Sequence, residues 1–200
     1  MLHVVALGFL LAAGLPFDDQ KKGAVPVERL SSAVASLVGI CPDGLEFDQL
    51  EECKKNLKAG AKGFVGKKVY VNLGAGHENF LRLESKSDER ARIVWAPLID
   101  LGNGLALTVG RPQKLSAAGN VVVAQRPFDG SSDPEVLDTD LKRAISIGAV
   151  GIEVVGTFGK AWELSQGGKT VRGVSFEPTA IRFFHARTGK MLVEVTDLKG

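Results

Sequence analysis

The first 17 residues of the chain contain no Lys, Arg, Asp or Glu. Val4 to Leu11 is an apolar run of the length found in export signals, and Ala12-Ala13-Gly14 follows with small side chains at the spacing a signal peptidase reads. The basic residue that usually opens such a signal is also missing, since only His3 precedes the run. Two rivals stand beside the cleaved signal: a membrane anchor and a segment kept in the fold. The uncharged stretch stops at Asp18, short of the roughly 20 apolar residues that span a bilayer. No Cys follows Gly14, which excludes lipid attachment there, and no later stretch is long and apolar enough to cross a membrane. The expectation is a signal peptide over residues 1–14 and a periplasmic or secreted product, with no membrane insertion after cleavage.

Strong charge of either sign is absent as well. All 25 basic and 23 acidic residues lie beyond residue 17, and the net charge is +2. With no basic stripe or acidic block in view, nucleic acid and anionic membrane surfaces are poor partners. An unidentified envelope ligand or protein is expected instead. Cysteine is scarce, with Cys41 and Cys53 alone. Their spacing fits neither C-x-x-C nor a zinc pattern. In an exported chain an even count points to a disulfide, and closing so short a loop stabilises by about 3 kcal/mol in the chain-entropy picture.

Glycine, by contrast, is plentiful: 24 of 200 residues, set between short apolar runs as turn-rich β structure requires. Residues 15–25 read as a flexible polar leader. Residues 26–60 read as a helical hairpin stapled by the two cysteines. Pro26 opens the first helix, Val27, Leu30, Val34, Leu37 and Val38 share its face, and Gly39 stops it. The second helix runs from about Leu45 to Leu57, with acids early and lysines late, and ends at Gly60 and Gly63.

From residue 67 to 200 the pattern is mostly β. Strands are expected at Val69–Leu73, Phe80–Leu83, Ala91–Trp95, Leu105–Val109, Val121–Ala124, Ile152–Val155, Ala161–Leu164, Val171–Phe176, Ile181–His185 and Met191–Val195. A short helix is expected at Asp138–Ser146, and Thr188-Gly189 is a hairpin turn. A strand, a Gly-punctuated bend and an aromatic-x-Leu occur at residues 69–85 and again at 152–165. This suggests two small β modules, 67–126 and 150–196, although any two Gly-bent hairpins share that shape. The fold class is α+β, mainly antiparallel β. A small barrel, OB-like or SH3-like, is the first architecture and a sandwich the second.

Motifs of known chemistry fail on spacing. Gly167-Gly168-Lys169-Thr170 lacks the Gly that a phosphate-binding loop needs six residues before its Lys, where Glu163 stands. Gly74-Ala75-Gly76 has Asn79 at the third Gly of a dinucleotide fingerprint. Ser146, in Ala144-Ile145-Ser146-Ile147-Gly148, has the shape of a nucleophile elbow without the alternating sheet and helices around it. Asp129 to Glu135 offers oxygens at alternating positions but lacks an EF-hand's downstream carboxylate. His77, Glu78 and His185 are the remaining candidates, for a metal or acid–base site. Trp95, Trp162, Phe183 and Phe184 read as core unless one faces solvent, where it would form a glycan or peptide platform.

The order of these segments also permits a comparison. A signal and a two-cysteine helical stretch precede Gly66-Lys67-Lys68-Val69-Tyr70-Val71-Asn72-Leu73-Gly74. Then come Trp95-Ala96-Pro97-Leu98-Ile99-Asp100 and Gly151-Ile152-Glu153-Val154-Val155-Gly156-Thr157-Phe158-Gly159-Lys160-Ala161-Trp162. The whole resembles a group of uncharacterised exported proteins of myxobacteria-like Gram-negative bacteria. The resemblance implies the cell envelope. It brings no activity, cofactor or catalytic residue. The reading is a non-catalytic binding or interaction module without a cofactor. The alternative is a small hydrolase or metal-dependent enzyme built on His77, Glu78 and His185.

Overall fold

Period-two alternation of apolar and polar residues builds a sheet with two different faces, and each face carries a helix. The structure is a computed structural model. It describes residues 15–41, 46–75, 81–87, 90–95, 98–110, 112–116, 121–123, 143–144 and 147–196. In chain order the elements are α1 (Phe17–Lys21), β1 (Val25–Val27), α2 (Leu30–Val38), α3 (Phe47–Phe64), β2 (Lys68–Gly74), β3 (Leu81–Ser87) and β4 (Arg90–Trp95). Then follow β5 (Leu98–Gly102), β6 (Leu105–Val109), β7 (Pro112–Leu115), β8 (Val121–Val123), β9 (Val150–Gln166), β10 (Lys169–His185) and β11 (Met191–Val195).

Seven strands form one sheet in the order β1-β2-β9-β10-β6-β5, with β11 also on β10. The first half of β10 pairs β6 in parallel through Arg172–Phe176, and its second half pairs β11 antiparallel through Ile181–Phe184. β1 lies parallel to β2, and the remaining pairings are antiparallel. The α+β, mainly antiparallel class therefore holds. The expected closed barrel, OB-like or SH3-like, does not form, because the sheet is open with β1 and β5 at its ends. Pro26 explains one end: a residue without an N–H suits an edge strand, not the helix start expected for it. Among the described residues a sandwich is not seen either. Beside this sheet the described ladders are the two-stranded pairs β3–β4 and β7–β8.

The four short strands expected between residues 150 and 185 are in fact two strands of 17 residues. Glycine bends this hairpin without breaking it. The pairing slips between Val174 and Phe176 and between Pro178 and Ala180, two bulges that turn the ribbon. The Trp162 ring lies against Gly173 directly across the ladder, and the Phe184 ring lies against Gly151. A Cβ at either glycine would collide with the ring, so each glycine is a seat for a cross-strand aromatic. Gly167 and Gly168 close the hairpin with φ of 58° and 77°, the left-handed pair that a tight two-residue turn demands.

Strands from both proposed β modules share the one sheet: β2, β5 and β6 from the first, β9 to β11 from the second. The expected leader, residues 15–25, contains α1 and the start of β1. α2 begins at Leu30 and ends at Gly39, where φ is 73°. α3 starts on a capping box, Glu46 with Gln49, and continues past Gly60 and Gly63 to Phe64. Gly60 does not stop the helix because its role is clearance. A Cβ there would stand 2.8 Å from Ser36 Oγ on α2. The Cys41–Cys53 disulfide links the end of α2 to the middle of α3, with Cα atoms 6.0 Å apart. Of the helix expected at 138–146, Arg143 and Ala144 are described, and they are helical.

The main core lies between α2 and one sheet face. Ala33 and Val34 meet Val69, Val71, Ile152, Val154, Ile181 and Phe183, and the core continues through Val174, Phe176, Phe158 and Leu107. Phe158 meets Phe176 edge-on at 5.5 Å and Phe64 at 5.9 Å, which ties the end of α3 to the sheet. On the opposite face Phe17 of α1 is fully buried with Val155, Ala180 and Tyr70.

Candidate functional site

One charged residue sits between apolar neighbours in each of three adjacent strands: Glu153 in Ile152-Glu153-Val154, Arg182 in Ile181-Arg182-Phe183, and Glu194 in Val193-Glu194-Val195. Register places Arg182 directly opposite both Glu153 and Glu194. Alternation turns all three away from the main core, toward α1. Arg182 donates from Nε and Nη2 to Glu194 Oε2 at 3.2 and 3.0 Å, and its Nη1 stands 3.7 Å from Glu153 Oε2. These side chains are largely covered, with 18% of Arg182, 13% of Glu153 and 22% of Glu194 exposed.

α1 completes the ring. Asp18 pairs with Arg182 Nη2 at 2.9 Å, and Lys21 Nζ reaches Glu153 Oε1 at 3.5 Å. The Phe17 N–H donates to Glu194 Oε1 at 2.7 Å. Two cation–ring contacts join in: Arg182 lies 4.4 Å over the Phe17 ring, and Lys21 Nζ 3.8 Å over Tyr70. The Tyr70 hydroxyl donates to Glu153 Oε1. Gln20 donates to the carbonyls of Leu15 and Thr196, each at 3.0 Å, which fastens the chain before α1 to the chain after β11.

The electrostatics follow from these contacts. The Arg182 guanidinium that donates to Asp18 holds its carboxyl below the usual 3.8, and Lys21 and Lys22 add to this. Burial pushes the Tyr70 phenol above 10.0, and donation to the Glu153 carboxylate pushes the same way. At Lys21 burial opposes the charge, but Tyr70 and Glu153 together outweigh it and the ammonium is held above 10.5. Each cation faces a carboxylate and each carboxylate a donor. Chemically this is a clamp on α1, with its groups engaged by one another.

The residues proposed from the sequence are not brought to this place. His185 ends β10 at the turn into β11. Its carbonyl accepts from Thr188 and Gly189, and its Nδ1 accepts from the Arg187 N–H at 3.3 Å. That is a turn-forming role, at the Thr188-Gly189 hairpin expected there. His77 and Glu78 lie outside the described residues, as do Ser146 and the Asp129–Glu135 loop. Among the described residues no group of three or more His, Cys, Asp or Glu side chains is placed to hold a metal. Trp162 is half-buried and donates to Thr108 Oγ1 at 3.1 Å, and Phe183 is buried, so both serve packing. Beside α3 a hollow of about 810 Å³ is lined by Glu51, Glu52, Lys54, Lys55 and Lys58. Every residue that lines it is charged, unlike the mostly hydrophobic and aromatic lining of a small-molecule site.

A family model described as "Family of unknown function (DUF6066)" matches residues 9–198. The chain belongs to that family. No curated protein and no solved structure matches it. The DUF6066 match runs from before α1 to beyond β11, so the clamp and the disulfide fall wholly inside it.

The clamp was open to sequence reasoning and was missed. Its signal is a lone charge in the middle of each of three apolar strands, which is costly to bury unless the charges meet.

Proposed function

We propose that this protein is an exported envelope component, periplasmic or secreted, that acts as a non-catalytic binding or interaction module. The observation that carries the reading is the Cys41–Cys53 disulfide, which clips a helix without a single buried side chain onto the domain. A structural cross-link of this kind belongs to an oxidising, non-cytoplasmic compartment. The resemblance to exported proteins of myxobacteria-like Gram-negative bacteria points the same way. The clamp supports the non-catalytic part. Asp18, Lys21, Tyr70, Glu153, Arg182 and Glu194 converge, yet each faces a partner within the group rather than an open position. The partner is an envelope ligand or protein rather than nucleic acid.

The test is N-terminal sequencing and thiol labelling of the protein from fractions of its own host. A chain beginning near Leu15, recovered from the envelope or medium with both cysteines linked, is the expected result. Met1 retained on cytosolic protein with free thiols would overturn it. A molecule that co-purifies identifies the ligand, whereas turnover of that molecule would reverse the non-catalytic reading.

A further inference from the structure

The near-neutral total of the chain conceals a local excess. Lys54, Lys55, Lys58, Lys62, Lys67 and Lys68 fall in a stretch, Cys53 to His77, that contains no Asp or Glu. All six are exposed, on α3, the turn after it and the first residue of β2. We propose that the outer face of α3 lies on an anionic lipid bilayer, as a peripheral contact that does not cross it.

Helical spacing assembles the face. Lys54, Lys58 and Lys62 recur every four residues, one above the other. Phe47 precedes Lys54 by two turns, and Val65 follows Lys58 by two turns, so both share that face, as does one acid, Glu51, two turns before Lys58. These two are the exposed apolar residues at the ends of α3, Phe47 at 74% and Val65 at 64%. The neighbouring stripe of the helix (Leu50, Cys53, Leu57, Ala61 and Phe64) is half-buried, in the direction of α2 and the sheet. Lys54 pairs with Glu51 at 3.1 Å, whereas among the described residues Lys58 and Lys62 have no acidic partner.

Charge complementarity selects a phosphate-rich surface, and the two apolar ends select which one. A bare polyanion leaves Phe47 and Val65 in water. A bilayer takes them into the headgroup boundary while the lysines stay level with the phosphates. Among the described residues no helix, α3 included, is long and apolar enough to cross a membrane. The proposal rests on the envelope reading for where such a membrane is met. Its test does not, because vesicle binding is read on purified protein whatever its compartment.

The experiment sediments the protein, as purified from its host, with vesicles of phosphatidylcholine alone or of phosphatidylcholine mixed with phosphatidylglycerol. Binding is expected with the mixed vesicles, and it weakens as salt rises. The triple variant Lys54→Gln, Lys58→Gln, Lys62→Gln should bind on the order of 100-fold more weakly, at roughly fivefold per lysine. Phe47→Ser should lose about tenfold. Circular dichroism and disulfide mapping establish that each variant is folded. Equal binding to neutral vesicles, full binding by the folded triple variant, or retention of a DNA duplex without vesicle binding would each overturn the proposal.

Discussion

β9 and β10 hold α2 on one face and α1 on the other, and they do so by different means. α2 is held by apolar contact: Ala33 and Val34 sink among Val69, Val71, Val154 and Ile181. α1 is a single turn and a half, with one aromatic plug, Phe17, and a ring of charges about it. Successive residues of the same strands supply both surfaces. Val154 faces one helix and Glu153 the other, and Ile181 and Arg182 divide in the same way. The difference shows how a sheet fixes an element too short to bury a core of its own. Charges beside the plug take up the polar groups that a short helix leaves unpaired, such as the Phe17 N–H.

The comparison breaks most visibly in the main core. Ile181→Ala is expected to cost about 4 kcal/mol, because a fully buried side chain leaves a cavity among neighbours that relax little. Urea unfolding should show the loss as one cooperative shift of the midpoint. Phe17→Ala is expected to cost about 3 kcal/mol by the same reasoning, but locally. Hydrogen exchange should show α1 opening while β9 and β10 keep their protection. An equal loss of protection in both places would mean that the two faces are one cooperative unit.

Glu194→Gln is smaller, about 1 kcal/mol. The amide oxygen still accepts from Phe17, while Arg182 loses one of its three carboxylates. Proteolysis within residues 15–22 is the sensitive readout. The smallest effect is that of acid. Asp18 has a lowered carboxyl pKa, so its contribution is present above pH 3.8 and is lost as pH falls through the lower folded value. Its side chain is 70% exposed, so solvent screens the pair and the loss is slight. At the alkaline end Tyr70 and Lys21 have raised values. Their contributions hold below about pH 10 and vanish as pH rises through those values. The protection of α1, taken relative to the intrinsic exchange rate at each pH, should therefore be flat between these limits. A step near neutrality would assign the clamp to a different group.

Much of this molecule was readable from local pattern. The stop at Gly39, the turns at Gly167-Gly168 and Thr188-Gly189, and the strand segments of β2, β6 and β11 follow from φ requirements and alternation within a few residues. The cysteine pair was readable because the chain has two cysteines, an even count that in an exported protein points to a disulfide. Glycine misled where its role was tertiary. Gly60 looks like a helix stop and is a contact with Ser36. Gly156 and Gly159 look like a bend between two strands and lie inside the unbroken β9. Pro26 looks like a helix start and sits on a sheet edge. The clamp was not assembled because its members lie far apart in the chain, with Phe17 and Glu194 separated by 177 positions.

Residue order alone determined which segments extend, where the chain turns, and that Glu153, Arg182 and Glu194 each stand alone among apolar neighbours. Tertiary structure decided that they face one another and that α1 covers them. Alternation assigns a residue to one side of its own strand. Which strands become neighbours, in what register, and which helix covers a face depend on burial shared by residues from opposite ends of the chain. No local preference encodes that.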